Sequence, residues 1–340
     1  MPPLSQLSLR SREIYLYMAR VLKYHPNRKV LYITSSIEVG LLFLCNPLCT
    51  AILKSCLAAA LAKYKVRLCH FVIEPNHFHM IVVVDNPEHV PDFMKYFKAE
   101  SAHRINRVLG RKKRTVWCEG YDSPIVLTPL RALVAIAYLY VNPAKDGLTH
   151  TIDEYEGVCS WRMFSTGNLS EESKIIPRDK FAYLPIWNQN EKGYSMEAHR
   201  VLATTEQKET LTIEPNAWLE SYGITDPKEQ LKWNSTLVER IRRLEDRAEK
   251  VRKRAGRRPI GTYRLRNQKF DLTRESLRSG KKMSCLSERR SERVKFMTLL
   301  TQKMYEAREV VKRWAKGDFS VPYPPGFHAP CMPRLANMRP

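Results

Sequence analysis

The fold of this chain is decided by residues 74–84, which read EPNHFHMIVVV. β-Branched residues crowd the end of this short apolar run, a composition typical of a buried strand. Alternate side chains of a strand point to the same face, so His77 and His79 point together while Phe78 and Met80 point into a core on the other side. Two neutral imidazoles placed in this way form half of a divalent-metal site. An isolated H-x-H pair, however, more often marks polar residues at the entrance of a strand.

Length and composition limit the kinds of protein that this chain can be. Its 340 residues are enough for one large or two ordinary domains with a real core. The formal net charge of +22 and the pI near 9.7 indicate a polyanionic partner, most economically nucleic acid, with a membrane surface as the rival. The sequence has no run of about 18 apolar residues and no apolar signal core at its N-terminus, which argues against a spanning helix and against secretion. Eight cysteines without any C-x-x-C spacing predict reduced core cysteines in a cytoplasmic protein.

The order of the predicted elements indicates the fold class. Apolar periodicity predicts a strand from Lys29, a helix opened by Asn46-Pro47 and a strand over 66–73 that precedes the histidine strand. Two more helices are predicted over 91–109 and 130–141, and the second ends at Asn142-Pro143 because proline disfavours helix for the preceding residue. This order predicts an α+β domain, with a small antiparallel sheet and helices on one face.

Four segments are predicted along the chain. They are a basic lead-in at 1–28, the compact α+β domain at 29–162, a linker or accessory segment at 163–228, and a basic, mainly helical C-terminal region with a proline-rich tail at 229–340. The charged helices of the last segment need a partner surface, which is either the first domain or nucleic acid.

Basic residues are frequent on the helix that follows the histidine strand and in the loop after it. A basic run is as often a solvated loop. Beside aromatic residues it also suits phosphate groups together with a platform on which a base can stack. The residues expected to bind DNA are Lys95, Lys98, Arg104, Arg111, Lys112, Lys113, Arg114 and Trp117.

A second set of residues suited to chemistry lies in the helix that begins at Pro129. Tyr138 and Asn142 are four residues apart and are therefore neighbours on one helix face. A phenol can attack a phosphodiester when a metal withdraws charge from the phosphoryl oxygens, and an amide carbonyl one turn away could complete a His-His-O metal shell. Taken alone, a tyrosine in so apolar a helix is more often a core residue.

Five motifs between about Lys29 and Trp161 resemble, in order and spacing, the single-tyrosine HUH transposases, and more narrowly the REP-associated tyrosine transposases. The motifs are PNHFHMIVVV, KxxxxHRINR, VWCEGY, YLYVNPAKDGL and DEYExxxSW. H-x-H alone is a weak signal, whereas H-x-H followed roughly 60 residues later by Y-x-x-x-N-P-x-x-x-G-L is a strong one.

The resemblance implies a ferredoxin-like α+β catalytic domain that binds single-stranded or hairpin DNA. It implies that His77 and His79 hold Mg²⁺ or Mn²⁺ and that Tyr138 is the nucleophile. Insertion-sequence relatives have a glutamine as a further ligand where this chain has the shorter Asn142. Glu74 stands where these proteins commonly have methionine. We expect it to face solvent, with a place in the metal shell as the alternative.

The motifs together predict a metal-dependent DNA strand-transfer enzyme that forms a 5′-phosphotyrosine on Tyr138. The alternatives are a domesticated DNA-binding protein that no longer cuts, and an HUH replication initiator or relaxase. The expected partner is DNA rather than a membrane. A homodimer with composite active sites is left open, and the expected location is the cytoplasm of a prokaryote, in association with the nucleoid.

Overall fold

The computed structural model of the chain describes residues 23–38, 44–86, 89–108, 115–175, 204–267 and 283–330. Its strands are β1 (Lys29–Ser36), β2 (Val66–Ile73), β3 (His77–Val84), β4 (Ile125–Val126), β5 (Ser170–Lys174), β6 (Lys208–Thr212) and β7 (Cys285–Leu286). Its α-helices are α1 (Pro47–Lys63), α2 (His89–Val108), α3 (Pro129–Lys145), α4 (Trp161–Thr166), α5 (Ala217–Glu220), α6 (Pro227–Arg254), α7 (Thr262–Arg266) and α8 (Arg290–Ala315).

The main sheet has the strand order β2-β3-β1-β4-β7. The first four strands are antiparallel, and β7 adds in parallel at the β4 edge. Because α1 connects β1 to β2 and α2 connects β3 to β4, these elements form the βαββαβ arrangement of a ferredoxin-like fold. The predicted fold class is therefore confirmed.

The histidine strand β3 lies between β1 and β2, with Thr34 of β1 opposite His79. Its side chains alternate between the two faces of the sheet. Phe78 and Met80 enter the core shared with α1 and α2, whereas Ile81 and Val83 enter the core shared with α3. The side chains of His77 and His79 lie on the same face of β3 as those of Ile81 and Val83. The two histidines therefore lie on the side of the sheet that α3 covers.

Helices cover both faces of the sheet, so the expectation that they lie on one face is wrong. The face opposite α1 and α2 is covered by α3, α5 and α6, which share a second apolar core with it. An apolar β3 whose side chains are buried on both faces needs such a second layer, because a solvated face would expose Ile81 and Val83 to water.

Helix α3 continues past the predicted end at Asn142-Pro143 and reaches Lys145. Proline deprives one carbonyl of the preceding turn of its donor. The helical hydrogen bonds resume directly afterwards, since the backbone N–H of Asp146 donates to the Asn142 carbonyl at 2.8 Å. The prediction of an earlier end was wrong, and the extra turn brings Lys145 beside Tyr138 and Asp146 beside Lys145.

The C-terminal half packs on the same core instead of standing apart from it. Arg252 of α6 donates to the carbonyl of Ala144 at 2.7 Å, and Glu245 accepts from the backbone N–H of Ile152 at 2.6 Å. Helix α6 thus has the first domain as its partner surface. The division of the chain into four segments stays a prediction, and residues 1–22 and 331–340 lie outside the described ranges.

None of the seven cysteines in the described ranges forms a disulfide. Within the same ranges, no helix combines the length and the apolar composition that crossing a membrane requires.

Candidate metal and nucleophile site

The turn before β3 and the first residues of β3 bring polar side chains to the α3 side of the sheet. The ring centroids of His77 and His79 are 4.8 Å apart. Nδ1 of His77 donates to Oδ1 of Asn76 at 2.7 Å, so the lone pair is on Nε2, which lies 3.1 Å from Oε2 of Glu74. A lone pair and a carboxylate oxygen so close together need a proton or a metal cation between them.

Glu74 is buried, with an exposed fraction of 1 %. Its backbone N–H donates to the carbonyl of His77 at 2.7 Å, so the turn folds the glutamate back beneath the start of β3. The expectation that Glu74 faces solvent is therefore wrong. A buried carboxylate is costly unless a positive partner compensates it, and at this position that partner is a protonated His77 or a bound cation.

A third donor comes from the C-terminal end of the nucleophile helix. One ligand atom each of Glu74, His77 and Asp146 lies within 4.8 Å of the other two. Two carboxylates and one imidazole are a donor set that suits Mg²⁺ or Mn²⁺. Two carboxylates this close also repel each other unless a cation lies between them. The donor chemistry of the site therefore fits a divalent metal.

The sequence alone did not single out Asp146, although it contained a signal for it. Asp146 is four residues after Asn142 and eight after Tyr138, which places all three on one face of a continuous helix. The predicted helix end at Pro143 hid this relationship.

His79 lies next to the three-residue cluster but is not one of its members. Its Nδ1 is 2.8 Å from the hydroxyl oxygen of Tyr32, and the two rings are stacked. Burial lowers the pKa of His79 well below 6.5, and electrostatic repulsion from His77 and Lys145 acts in the same direction. His79 is consequently neutral at pH 7, which is the form that can bind a metal. The metal-binding roles of His77, His79 and Asn142 stay predictions.

Tyr138 is exposed on the face of α3 that is turned toward the histidines. Its exposed fraction is 44 %, and its ring centroid lies 6.5 Å from that of His79. Lys145 donates to the Tyr138 hydroxyl oxygen at 2.6 Å and to Oδ1 of the buried Asn142 at 3.3 Å. Burial acts to lower the pKa of Lys145, but the hydrogen bond to Tyr138 and the charge of Asp146 outweigh it and raise this pKa.

Tyr140, two residues away, points into the core. Its hydroxyl oxygen lies 2.8 Å from Nδ1 of His70 and 2.8 Å from Oγ of Ser160. This agrees with the helical arithmetic, which puts Tyr138 and Tyr140 about 200° apart around the helix axis. In the structure Tyr138 is therefore the accessible one of the two phenols.

Two of the residues expected to bind DNA belong to the core. Trp117 has an exposed fraction of 5 %, donates to Oγ of Ser101 at 2.9 Å and packs against Phe78 and Phe97. Arg104 is also buried, and its guanidinium pairs with Glu100 at 2.5 Å. The expectation that Trp117 stacks on a base and that Arg104 contacts phosphate is wrong, because neither side chain presents a free surface.

The remaining residues of that set differ in what they do. Lys95 is exposed. The ammonium of Lys98 donates to the carbonyls of Cys118 at 2.8 Å and of Gly120, so it holds the loop after α2. Arg111, Lys112, Lys113 and Arg114 lie outside the described residues.

Part of the chain matches a known family. Residues 44–134 match the family described as IS200-like transposases. The matched part contains the histidine strand and ends four residues before Tyr138. Over this part of the chain, the match confirms the resemblance to the single-tyrosine HUH transposases.

Among solved structures, the chain is similar to one described as the structure of a REP-associated tyrosine transposase bound to a REP hairpin. The two chains are 13 % identical, the similarity covers 47 % of this chain and 89 % of the other, and the TM-score is 0.37. No curated protein matches the chain.

Proposed function

We propose that this chain, which resembles the single-tyrosine HUH transposases, cleaves and rejoins single-stranded or hairpin DNA with Tyr138 as the nucleophile. The observation that carries the proposal is the position of Tyr138. Its phenol is exposed on a helix face that also carries Asp146, which lies beside the half-buried His77 and the buried Glu74. An accessible nucleophile next to converging ligand atoms is the arrangement that attack on a bound phosphodiester requires.

In the proposed step, the Tyr138 oxygen forms a bond to the scissile phosphorus while the bond from phosphorus to the 3′ oxygen breaks. The phenol loses its proton, and the departing 3′ oxygen gains one and leaves as a hydroxyl. The 5′ side of the DNA stays attached to the protein as a phosphotyrosine. Attack by a 3′-hydroxyl on this phosphotyrosine reverses the step and joins the strands.

Lys145 supports the nucleophile. Its ammonium donates to the Tyr138 oxygen at 2.6 Å and stabilises the negative charge that develops there as the phenol loses its proton. The same ammonium lies 3.5 Å from a carboxylate oxygen of Asp146. This ion pair holds the positive charge of Lys145 at this end of the site.

Glu74, His77 and Asp146 are the residues that would hold a divalent metal, with His79 and Asn142 as neighbouring donors. Mg²⁺ or Mn²⁺ bound there supplies positive charge that polarises the phosphoryl oxygens. Asn76 keeps the Nδ1–H of His77 directed away from the cluster, and burial keeps His79 neutral. Both effects prepare the imidazoles for metal binding.

The direct test is covalent capture. The full chain is incubated with Mn²⁺ and single-stranded DNA that contains a hairpin, and the adduct is identified by denaturing gel and mass spectrometry of the DNA-linked peptide. We expect the adduct on Tyr138. Binding of this DNA without an adduct would instead favour the non-cleaving DNA-binding protein, and an adduct on another tyrosine would move the nucleophile elsewhere.

A further inference from the structure

A strongly basic surface lies next to the candidate site, on the turn that joins α6 to α7. Residues 250–267 read KVRKRAGRRPIGTYRLRN and contain eight basic residues and no acidic one. Arg254, Arg257, Arg258 and Arg264 are exposed. No carboxylate in the described part of the chain forms a salt bridge with these four, whereas the nearby Arg266 is paired with Glu156 at 2.9 Å. Their charge is therefore available to an anionic partner.

The turn is attached to the backbone that directly follows the candidate site. The N–H of Ile260 donates to the carbonyl of Gly147 at 2.8 Å, and the N–H of Gly261 donates to that of Leu148 at 2.9 Å. Gly147 is the residue after Asp146, and consecutive Cα atoms are about 3.8 Å apart. The basic surface is thus fixed at the edge of the site. Backbone hydrogen bonds, and not a linker alone, hold it there.

Tyr263 directly precedes Arg264 in this basic stretch and has an exposed fraction of 81 %. The turn before it is held by Gly261, whose φ of +80° is one that a residue with a side chain adopts only with strain. A tyrosine ring left in water beside exposed guanidinium groups supplies the two components of a site for single-stranded nucleic acid. The guanidinium groups bind phosphates, and the ring face stacks on a base.

We propose that Arg254, Arg257, Arg258, Tyr263 and Arg264 form a surface that binds the single strand leading away from the scissile phosphate, with Tyr263 stacked on one of its bases. Only the position of the scissile phosphate rests on the proposed function. A single strand fits better than a duplex, because stacking on Tyr263 requires an unpaired base. This surface takes the role that the sequence assigned to Trp117.

The test compares Tyr263→Ala with the matched variant Tyr305→Ala in the full chain. Tyr305 lies on α8 with an exposed fraction of 64 %, and α8 packs into the core on the other side of the sheet. Fluorescence anisotropy measures the Kd for labelled oligothymidine and for the same strand annealed to its complement. We expect Tyr263→Ala to weaken single-strand binding by about 5-fold to about 100-fold and duplex binding by less than about twofold. Tyr263→Phe and Tyr305→Ala should bind like the wild type.

The arginines are tested by the salt dependence of binding. Arg257→Ala together with Arg258→Ala should reduce the slope of log K against log salt by roughly 0.7 for each lost phosphate contact on single strands. Arg308→Ala, on the exposed face of α8, is the control and should leave the slope unchanged. An unchanged slope in the double variant, or an equal loss for Tyr263→Ala and Tyr305→Ala, overturns the proposal.

Failure of this surface and failure of the chemistry give different results. If the wild-type chain forms the covalent adduct and Tyr263→Ala binds single strands normally, only the proposal of this surface is wrong. If the wild-type chain forms no adduct but Tyr263→Ala weakens single-strand binding, the proposed surface stands and the proposed nucleophile is wrong.

Discussion

The ammonium nitrogen of Lys145 and the hydroxyl oxygen of Tyr138 are joined by a hydrogen bond of 2.6 Å, and the same nitrogen lies 4.5 Å from the centre of the tyrosine ring. The two residues are two turns apart on α3, with Pro143 between them. The contact therefore exists because the helix continues past this proline. It links the exposed phenol to the end of the helix that also carries Asp146.

Lys145→Met should slow formation of the covalent DNA adduct by about 100-fold to about 1,000-fold. The reason is the loss of one charged donor aimed at an oxygen on which negative charge develops. Lys145→Arg keeps the charge and should recover part of the rate. Single-turnover kinetics with hairpin DNA measures the effect. Lys63→Met is the control, because Lys63 lies 4.9 Å from the ring of Tyr96 in a comparable contact on the other side of the sheet. Equal rates for the two methionine variants would contradict this role.

The two tyrosines of α3 should respond in opposite ways to loss of the hydroxyl. Tyr138→Phe removes the nucleophile, so the adduct should disappear while DNA binding persists. Tyr140→Phe leaves His70 and Ser160 without their buried partner. It should keep the adduct but lower the free energy of unfolding by on the order of 1–3 kcal/mol. Urea denaturation and the adduct assay on both variants test this pair, and loss of the adduct in Tyr140→Phe alone would reverse the assignment.

The sequence predicted what depends on local periodicity. The shared face of His77 and His79 follows from the alternation of a strand, and the opposite directions of Tyr138 and Tyr140 follow from helical geometry. Features that depend on tertiary packing were not predictable in this way. Trp117 next to a basic run has the composition of a DNA surface, yet the apolar space between Phe78 and Phe97 holds its ring.

The polar residues of the site could be identified only from the path of the backbone in the structure. Glu74 precedes a turn, and nothing in the order of residues says whether that turn folds its side chain inward. Asp146 was hidden by the general rule for the residue before proline, which the packing of α3 overrides here. The partner of α6 was equally open from the sequence, because a helix rich in both charges suits a protein surface as well as DNA.

Divalent metal should stabilise the wild-type chain through Glu74, His77 and Asp146. A ligand that binds the folded state raises the melting temperature by mass action, so Mn²⁺ should raise the Tm measured by calorimetry. Glu74→Gln, His77→Ala and Asp146→Asn should each remove most of this increase and reduce adduct formation by orders of magnitude. Asp85→Asn is the control, because Asp85 is an exposed carboxylate beyond the other end of β3. The cluster is not a metal site if the three variants retain the full Mn²⁺-dependent increase.

Acid should destabilise the fold through histidines that stay neutral in the folded chain, among them His70 and His25. Burial lowers the pKa of His70 to about 3, against the opposing effect of its hydrogen bond to the carbonyl of Pro215. Burial, together with the charge of Lys23, lowers the pKa of His25 to about 4. In the unfolded chain both have a pKa near 6.5, so below that pH the unfolded state binds protons that the folded state does not.

The stability contributed by each neutral histidine is therefore complete above about pH 6.5 and is lost as the pH falls toward the folded-state pKa. The loss is on the order of 1.4 kcal/mol per pH unit for each group. His70→Gln removes one of these titrations, so its free energy of unfolding should fall less steeply between about pH 6.5 and about pH 5 than that of the wild type. Urea denaturation over this range measures the slope, and His328→Gln, at an exposed position, should leave it unchanged. If His70→Gln keeps the wild-type slope, His70 is not excluded from protonation in the folded chain, and the acid sensitivity has another source.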